Sequence, residues 1–134
     1  MAFGVSLIVP RARACEFITS TMKIIHPWSR ATREDATSVA VCMTFADVGQ
    51  TDRLIGAESM VCTSAEIGGL EAKPVVDFVI PEGQTTVMSE AGTYLRLIGL
   101  QFELPVGRQY PLTLNFKKAG PVAATLTIDY ARFL

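Results

Sequence analysis

The sequence predicts an all-β sandwich or barrel, on three observations. Gly and Pro punctuate the chain at short intervals, at Pro27, Gly49, Gly56, Gly68-Gly69, Pro74, Pro81, Gly83, Gly92, Gly99, Pro105, Gly107, Pro111 and Gly120-Pro121. The runs between them are rich in Val, Ile, Thr, Leu and Phe. No run holds a helical period. Short β-rich segments with turn signals roughly every 8–12 residues indicate an antiparallel β domain, whereas an amphipathic helix needs apolar residues at i, i+3, i+4 and i+7 over several turns.

Taken in order, strands are expected near Met22–Ile25, Ser38–Phe45, Arg53–Val61, Ser64–Ile67, Val75–Ile80, Thr85–Met88, Thr93–Leu97, Tyr110–Phe116 and Val122–Asp129. Alternation is clearest at Leu112, Leu114 and Phe116, with Thr113 and Asn115 facing the other way, and it recurs at Leu126, Ile128 and Tyr130. Pro81–Gln84 and Pro105–Arg108 read as turns, because Pro pre-sets φ and Gly takes the awkward dihedral. Lys117–Gly120 reads as the hairpin loop joining the last two strands, and Thr32–Asp35 as a polar loop. Pro27 is expected to force His26 into an extended conformation, with Trp28 anchoring the segment.

The 134 residues suffice for one domain with a sizeable core, at 49% hydrophobic residues and a mean hydropathy of +0.33. The reading divides the chain into an N-terminal arm, 1–20, and a β domain, 21–134. Twelve Lys and Arg against 13 Asp and Glu give no electrostatic case for nucleic acid or an anionic membrane surface. No apolar run approaches the ~20 residues of a membrane span. Phe3–Val9 is apolar but short, and Arg11 and Arg13 follow it where a secretory signal would have its charge first, so no clear signal peptide is read. The same run could add a strand to an exposed sheet edge of this chain or a neighbouring copy. Cys15 follows Arg13-Ala14, a poor lipoprotein cleavage context, and three cysteines cannot all pair within one chain. Cys42 and Cys62 are expected as small buried fillers.

Three stretches, HPWSRAT (His26–Thr32), DRLIGAES (Asp52–Ser59) and PLTLNFKKAG (Pro111–Gly120), resemble in order and spacing the PCu(A)C family of periplasmic copper chaperones, over roughly residues 22 to 128. The resemblance implies a cupredoxin-like Greek-key β-sandwich or barrel, a periplasmic location and Cu(I) held by a His and Met of one hairpin and a His-x-Met pair of a later strand. At those positions this chain differs. Gly68 stands where the first His would be, Lys73-Pro74-Val75 follows with no Met-bearing hairpin between, and Tyr94 and Arg96 replace the His-x-Met pair. Imidazole and thioether suit soft Cu(I). A phenol is a poor ligand for it, and a guanidinium is a permanent cation that cannot ligate.

The expected function is therefore a non-enzymatic binding module of the cell envelope with its copper ligands replaced. Its partner would be another protein or a second copy, and the surface carrying it would include Gly68, Tyr94 and Arg96. No cofactor is expected. The alternative is a Cu(I) carrier with non-standard soft ligands, Met60 and Cys62, or an inter-chain site. Two residues apart on a presumed strand, that pair would share a face near the family's metal position. His26, the one histidine, sits in a motif read as structural, and no nucleophile–base constellation supports catalysis.

Overall fold

The computed structural model describes residues 15–130. They form ten strands and no helix: β1 (Glu16–Ile18), β2 (Lys23–Arg30), β3 (Ser38–Ala46), β4 (Asp52–Glu58), β5 (Ser64–Gly69), β6 (Phe78–Ile80), β7 (Thr86–Val87), β8 (Thr93–Ile98), β9 (Gln109–Phe116) and β10 (Gly120–Tyr130). The sheet runs β5-β8-β3-β2-β10-β9-β4-β6, with β1 paired to β2 and β7 to β3. An antiparallel bridge between Ile67 and Lys73 folds the chain after β5 back onto that strand, and the sheet curls into a nearly closed barrel.

The core follows from period-two alternation. Val41, Met43 and Phe45 of β3 point inward, as do Leu112, Leu114 and Phe116 of β9 and Ala124, Leu126 and Ile128 of β10. The Phe45 ring packs against Phe78 and Phe116 with centroids 6.2 Å away in each case. Each of the Val, Leu, Ile, Met and Phe side chains among them contributes about 1.5–3 kcal/mol relative to exposure. β9 and β10 form the expected hairpin, closed at Phe116–Gly120.

Asp52 fastens this hairpin to β4. Its residue is 2% exposed. Oδ1 accepts from the backbone N–H of Arg53 (2.8 Å) and Lys118 (2.7 Å), and Oδ2 accepts from Ala119 N–H (3.0 Å) and the Thr21 hydroxyl (3.0 Å). Burial alone would raise the carboxyl pKa, but the three backbone donors and Thr21 outweigh it and hold it below its ordinary value. The neighbouring stretches DRLIGAES and PLTLNFKKAG thus meet as one unit, with Ser59 Oγ also donating to Pro111 O at 2.8 Å.

Five expectations differ from the structure. Residues 16–18, inside the predicted arm, form β1 on β2, with Phe17 packed against the core; Phe3–Val9 lies outside the described residues. The second strand continues to Arg30 instead of ending near Ile25, because a β-bulge absorbs Pro27: the register steps from Ile25↔Thr44 to Trp28↔Cys42. His26 is accordingly not extended but left-handed, at φ 52°. Its Nε2–H donates to Asp129 Oδ2 at 2.7 Å, tying the bulge to β10. Trp28 does anchor the segment, edge-on to Tyr130 at 4.9 Å. The strand read as Arg53–Val61 stops at Glu58, where Ser59 opens a turn closed by Cys62 N–H on Ser59 O. The strand read as Val75–Ile80 shortens to Phe78–Ile80, because Lys73 is engaged with Ile67 and Pro74 has no N–H to pair.

Candidate functional site

Gly68, Tyr94 and Arg96 come together on the outer face of the β5–β8 ladder. Gly68 is directly opposite Tyr94 and Glu66 opposite Arg96, so the four residues make a two-by-two block. The intervening Ile67, Leu95 and Leu97 point into the core and are 0–1% exposed. Alternation therefore fixes both the block and its outward direction.

The block is densely filled. A Cβ at Gly68 would lie 2.5 Å from Tyr94 Cε1, 3.0 Å from Cζ and 3.1 Å from Arg96 Nε, so the phenol ring lies directly on the glycine backbone. Arg96 Nη2 donates to Tyr94 Oη at 2.8 Å and Nη1 to Glu66 Oε2 at 3.3 Å. The hydrogen bond to Tyr94, ahead of the Glu66 charge, raises the already high pKa of Arg96. Beyond the block the chain turns sharply. Gly69 has φ +89°, and a Cβ there would meet Gly92 O at 2.0 Å, so only glycine fits. Leu70 N–H then donates to Gly92 O at 3.1 Å, leaving the Leu70 side chain 80% exposed at the tip. Two hydrogen bonds between Ile67 and Lys73 complete this short turn.

Met60 and Cys62 do not form the shared strand face expected of them. They lie in the β4–β5 turn, before β5 begins, while Gly68 is near its end. At ~3.3 Å per residue, the length of β5 separates them from the Tyr94 block by roughly 15–20 Å. Met60 is 62% exposed, whereas Cys62 packs partly against the core. Burial pushes the Cys62 thiol pKa up, against backbone hydrogen bonding at Ser59 and Ser64. Cys42 is 1% exposed on β3, and burial pushes its thiol up to about 11, with Glu90 adding to the rise. Among the described residues no group of three or more His, Cys, Asp or Glu is gathered in metal-holding geometry.

Sequence reasoning missed Glu66, Leu70 and Gly92 as members of the site. Glu66 was within reach, since it is two residues from Gly68 and opposite in charge to Arg96. Leu70 and Gly92 are brought in only by the turn, which no local pattern announces. A separate recess of about 580 Å³ lies over the β2 bulge, lined among others by His26, Trp28, Thr44, Val87, Ser89 and Glu90. Its His26 is already engaged by Asp129, and its Glu90 by Arg30.

The copper-bound PCuAC domain from PmoF2 superposes with a TM-score of 0.78 at 28% identity, over 86% of this chain and 97% of that one. The apo PCuAC domain from PmoF1 gives 0.76 at 27%, over 86% and 98%. The solution structure of CuI-DR1885 from Deinococcus radiodurans gives 0.67 at 22%, over 90% and 85%, a likeness of fold alone. No curated protein sequence matches. A family model described as "Putative lipoprotein LpqE-like" matches residues 22–128. The chain belongs to the LpqE-like family and is built on the PCuAC-type, copper-chaperone-like fold.

Proposed function

We propose that this chain is a non-enzymatic interaction module of the cell envelope, in which the β5–β8 face of a copper-chaperone scaffold presents a protein-binding surface. One observation carries this reading: the Tyr94 ring lies on Gly68 and is locked there by Arg96 and Glu66. The residues at the positions implied for copper do not fit Cu(I). A phenol, a guanidinium and a glycine offer no soft donor, and the guanidinium repels a cation. A His side chain at Gly68 would have no room without displacing Tyr94. Tyr and Arg are frequent anchors at protein interfaces, and the exposed Leu70 lies beside them. The family description supports an envelope setting, and the periplasm is the compartment we assign.

A second reading, a Cu(I) carrier, is favoured by the likeness to a copper-bound PCuAC domain. Its soft ligands would be Met60 and Cys62, or donors from two chains. A Cu(I) competition titration of the reduced protein against a chromophoric chelator separates the two. The interaction reading expects no tight stoichiometric binding. Tight binding of one Cu(I) per chain, abolished by Met60→Ala with Cys62→Ser, would install the carrier reading instead. In parallel, Arg96→Ala and Leu70→Ser should each reduce recovery of the proteins retained by wild type from an envelope extract, with the urea midpoint held. Identical recovery would move the binding surface elsewhere.

A further inference from the structure

The β9–β10 loop carries a second feature, independent of the Tyr94 block. Lys117 N–H donates to Arg53 O at 2.9 Å, placing Lys117 beside the start of β4. Lys118 and Ala119 spend their backbone N–H groups on Asp52, which fixes the loop and leaves both lysine side chains directed away from the core. Among the described residues neither lysine has an ion-pair partner. Together with Thr51, Asp52, Arg53 and Val79 they line a recess of about 200 Å³.

The charges in this recess are one-sided. Three of its six lining residues are cations. The only carboxylate, Asp52, is buried and already accepts four hydrogen bonds, so it is not available to pair with the lysines. Arg53 Nη1 reaches Asp77, which Lys73 shares, and this leaves other guanidinium N–H donors uncommitted. Thr51 Oγ1 accepts from Glu82 N–H at 3.0 Å, so its own proton remains free to donate. The chain as a whole carries a formal charge of −1, and the positive field here is therefore local. Two ammonium groups, a guanidinium and a hydroxyl around a small recess match the several acceptor oxygens of one tetrahedral oxyanion.

We propose that the Arg53–Lys117–Lys118 recess is a binding site for a single phosphate-type oxyanion, the chemistry shared by free phosphate and the headgroup of an anionic phospholipid. The test uses the full chain and its Lys117→Gln/Lys118→Gln variant. Both side chains are exposed and the backbone N–H groups that hold Asp52 are retained, so the urea midpoint should stay within error of wild type. Inorganic phosphate is titrated at constant ionic strength, with chloride as the control, and backbone amide shifts are followed by NMR. Saturable, phosphate-specific shifts at Thr51, Arg53, Lys117 and Lys118, with affinity about tenfold weaker in the variant, are the expected result. Non-saturating shifts, equal shifts with chloride, or unchanged affinity in the variant would each overturn the site. Co-sedimentation with phosphatidylglycerol-containing vesicles, against pure phosphatidylcholine vesicles, then assigns the source. Lysine-dependent retention on the anionic vesicles identifies a lipid headgroup, and phosphate binding without such retention identifies a free oxyanion.

Discussion

Replacing Gly68 by Ala tests the geometry on which the functional reading stands. The new methyl would lie 2.5 Å from Tyr94 Cε1, against the ~3.5–4.0 Å at which carbon atoms pack without repulsion. The ring has little freedom to withdraw: its opposite edge lies over Gly69, and its hydroxyl is held by Arg96. Overpacking of this kind costs about 1–3 kcal/mol. Gly68 is not left-handed, so alanine meets no backbone strain and recovers about 0.4–1 kcal/mol through the unfolded chain. The net expectation is about 1–2 kcal/mol of destabilisation. In a Tyr94→Ala background the ring is gone and only the flexible Arg96 side chain, with Nε at 3.1 Å, has to yield, so the same Gly68→Ala change should become neutral or stabilising by a few tenths to about 1 kcal/mol. The coupling across this double-mutant cycle is then about 2 kcal/mol. Urea denaturation of the four proteins, with equal m values, measures it directly. An equal cost of Gly68→Ala in both backgrounds would refute the placement of the ring, and with it the physical reason that a ligating side chain has no room at position 68.

Three further outcomes follow from two buried titratable groups. Asp52→Ala leaves three backbone N–H donors and Thr21 without their acceptor and should cost about 3–5 kcal/mol, while Asp52→Asn keeps an acceptor at one position and should cost about half as much. Because the folded pKa of Asp52 lies below its ordinary 3.8, its stabilisation is fully present above about pH 5 and is lost as pH falls through the folded value. Acid unfolding midpoints should therefore show a steeper loss of stability below pH 4 for wild type than for Asp52→Asn, and parallel acid limbs would contradict the assignment. Cys42, with its thiol pushed up to about 11 and 1% exposed, should resist iodoacetamide at pH 8 until the protein unfolds. Labelling of Cys42 faster than global unfolding, read by peptide mass spectrometry, would show that the β2–β3 face opens locally.

The parts of the fold legible in the sequence are those set by local chemistry. The alternation of Leu112, Leu114 and Phe116 identified β9, and Lys117–Gly120 its hairpin, because side-chain period and turn residues are short-range properties. Strand ends failed where a tertiary partner overrode the local signal. Pro27 looks like a strand terminator, yet the bulge lets β2 pass through it, because β3 pairs the strand on both sides of His26 and Asp129 holds the left-handed histidine. β1 was invisible because three residues carry no period, and only pairing with β2 makes them a strand.

The candidate site divides in the same way. Tyr94 and Arg96 could be singled out because their residue types conflict with Cu(I) chemistry, and the two-residue spacing put them on one face. Met60 and Cys62 have the same spacing, but they occupy a turn, where spacing says nothing about a shared face. What no pattern contained is the mutual dependence of glycine and ring. Gly68, taken alone, reads as a lost ligand. Opposite Tyr94, it is the only residue type that lets the phenol lie flat against β5 and bring its hydroxyl to Arg96. The two positions are therefore coupled: an imidazole at position 68 requires removing Tyr94, and removing Tyr94 frees Arg96, whose charge then faces that position with only Glu66 to balance it.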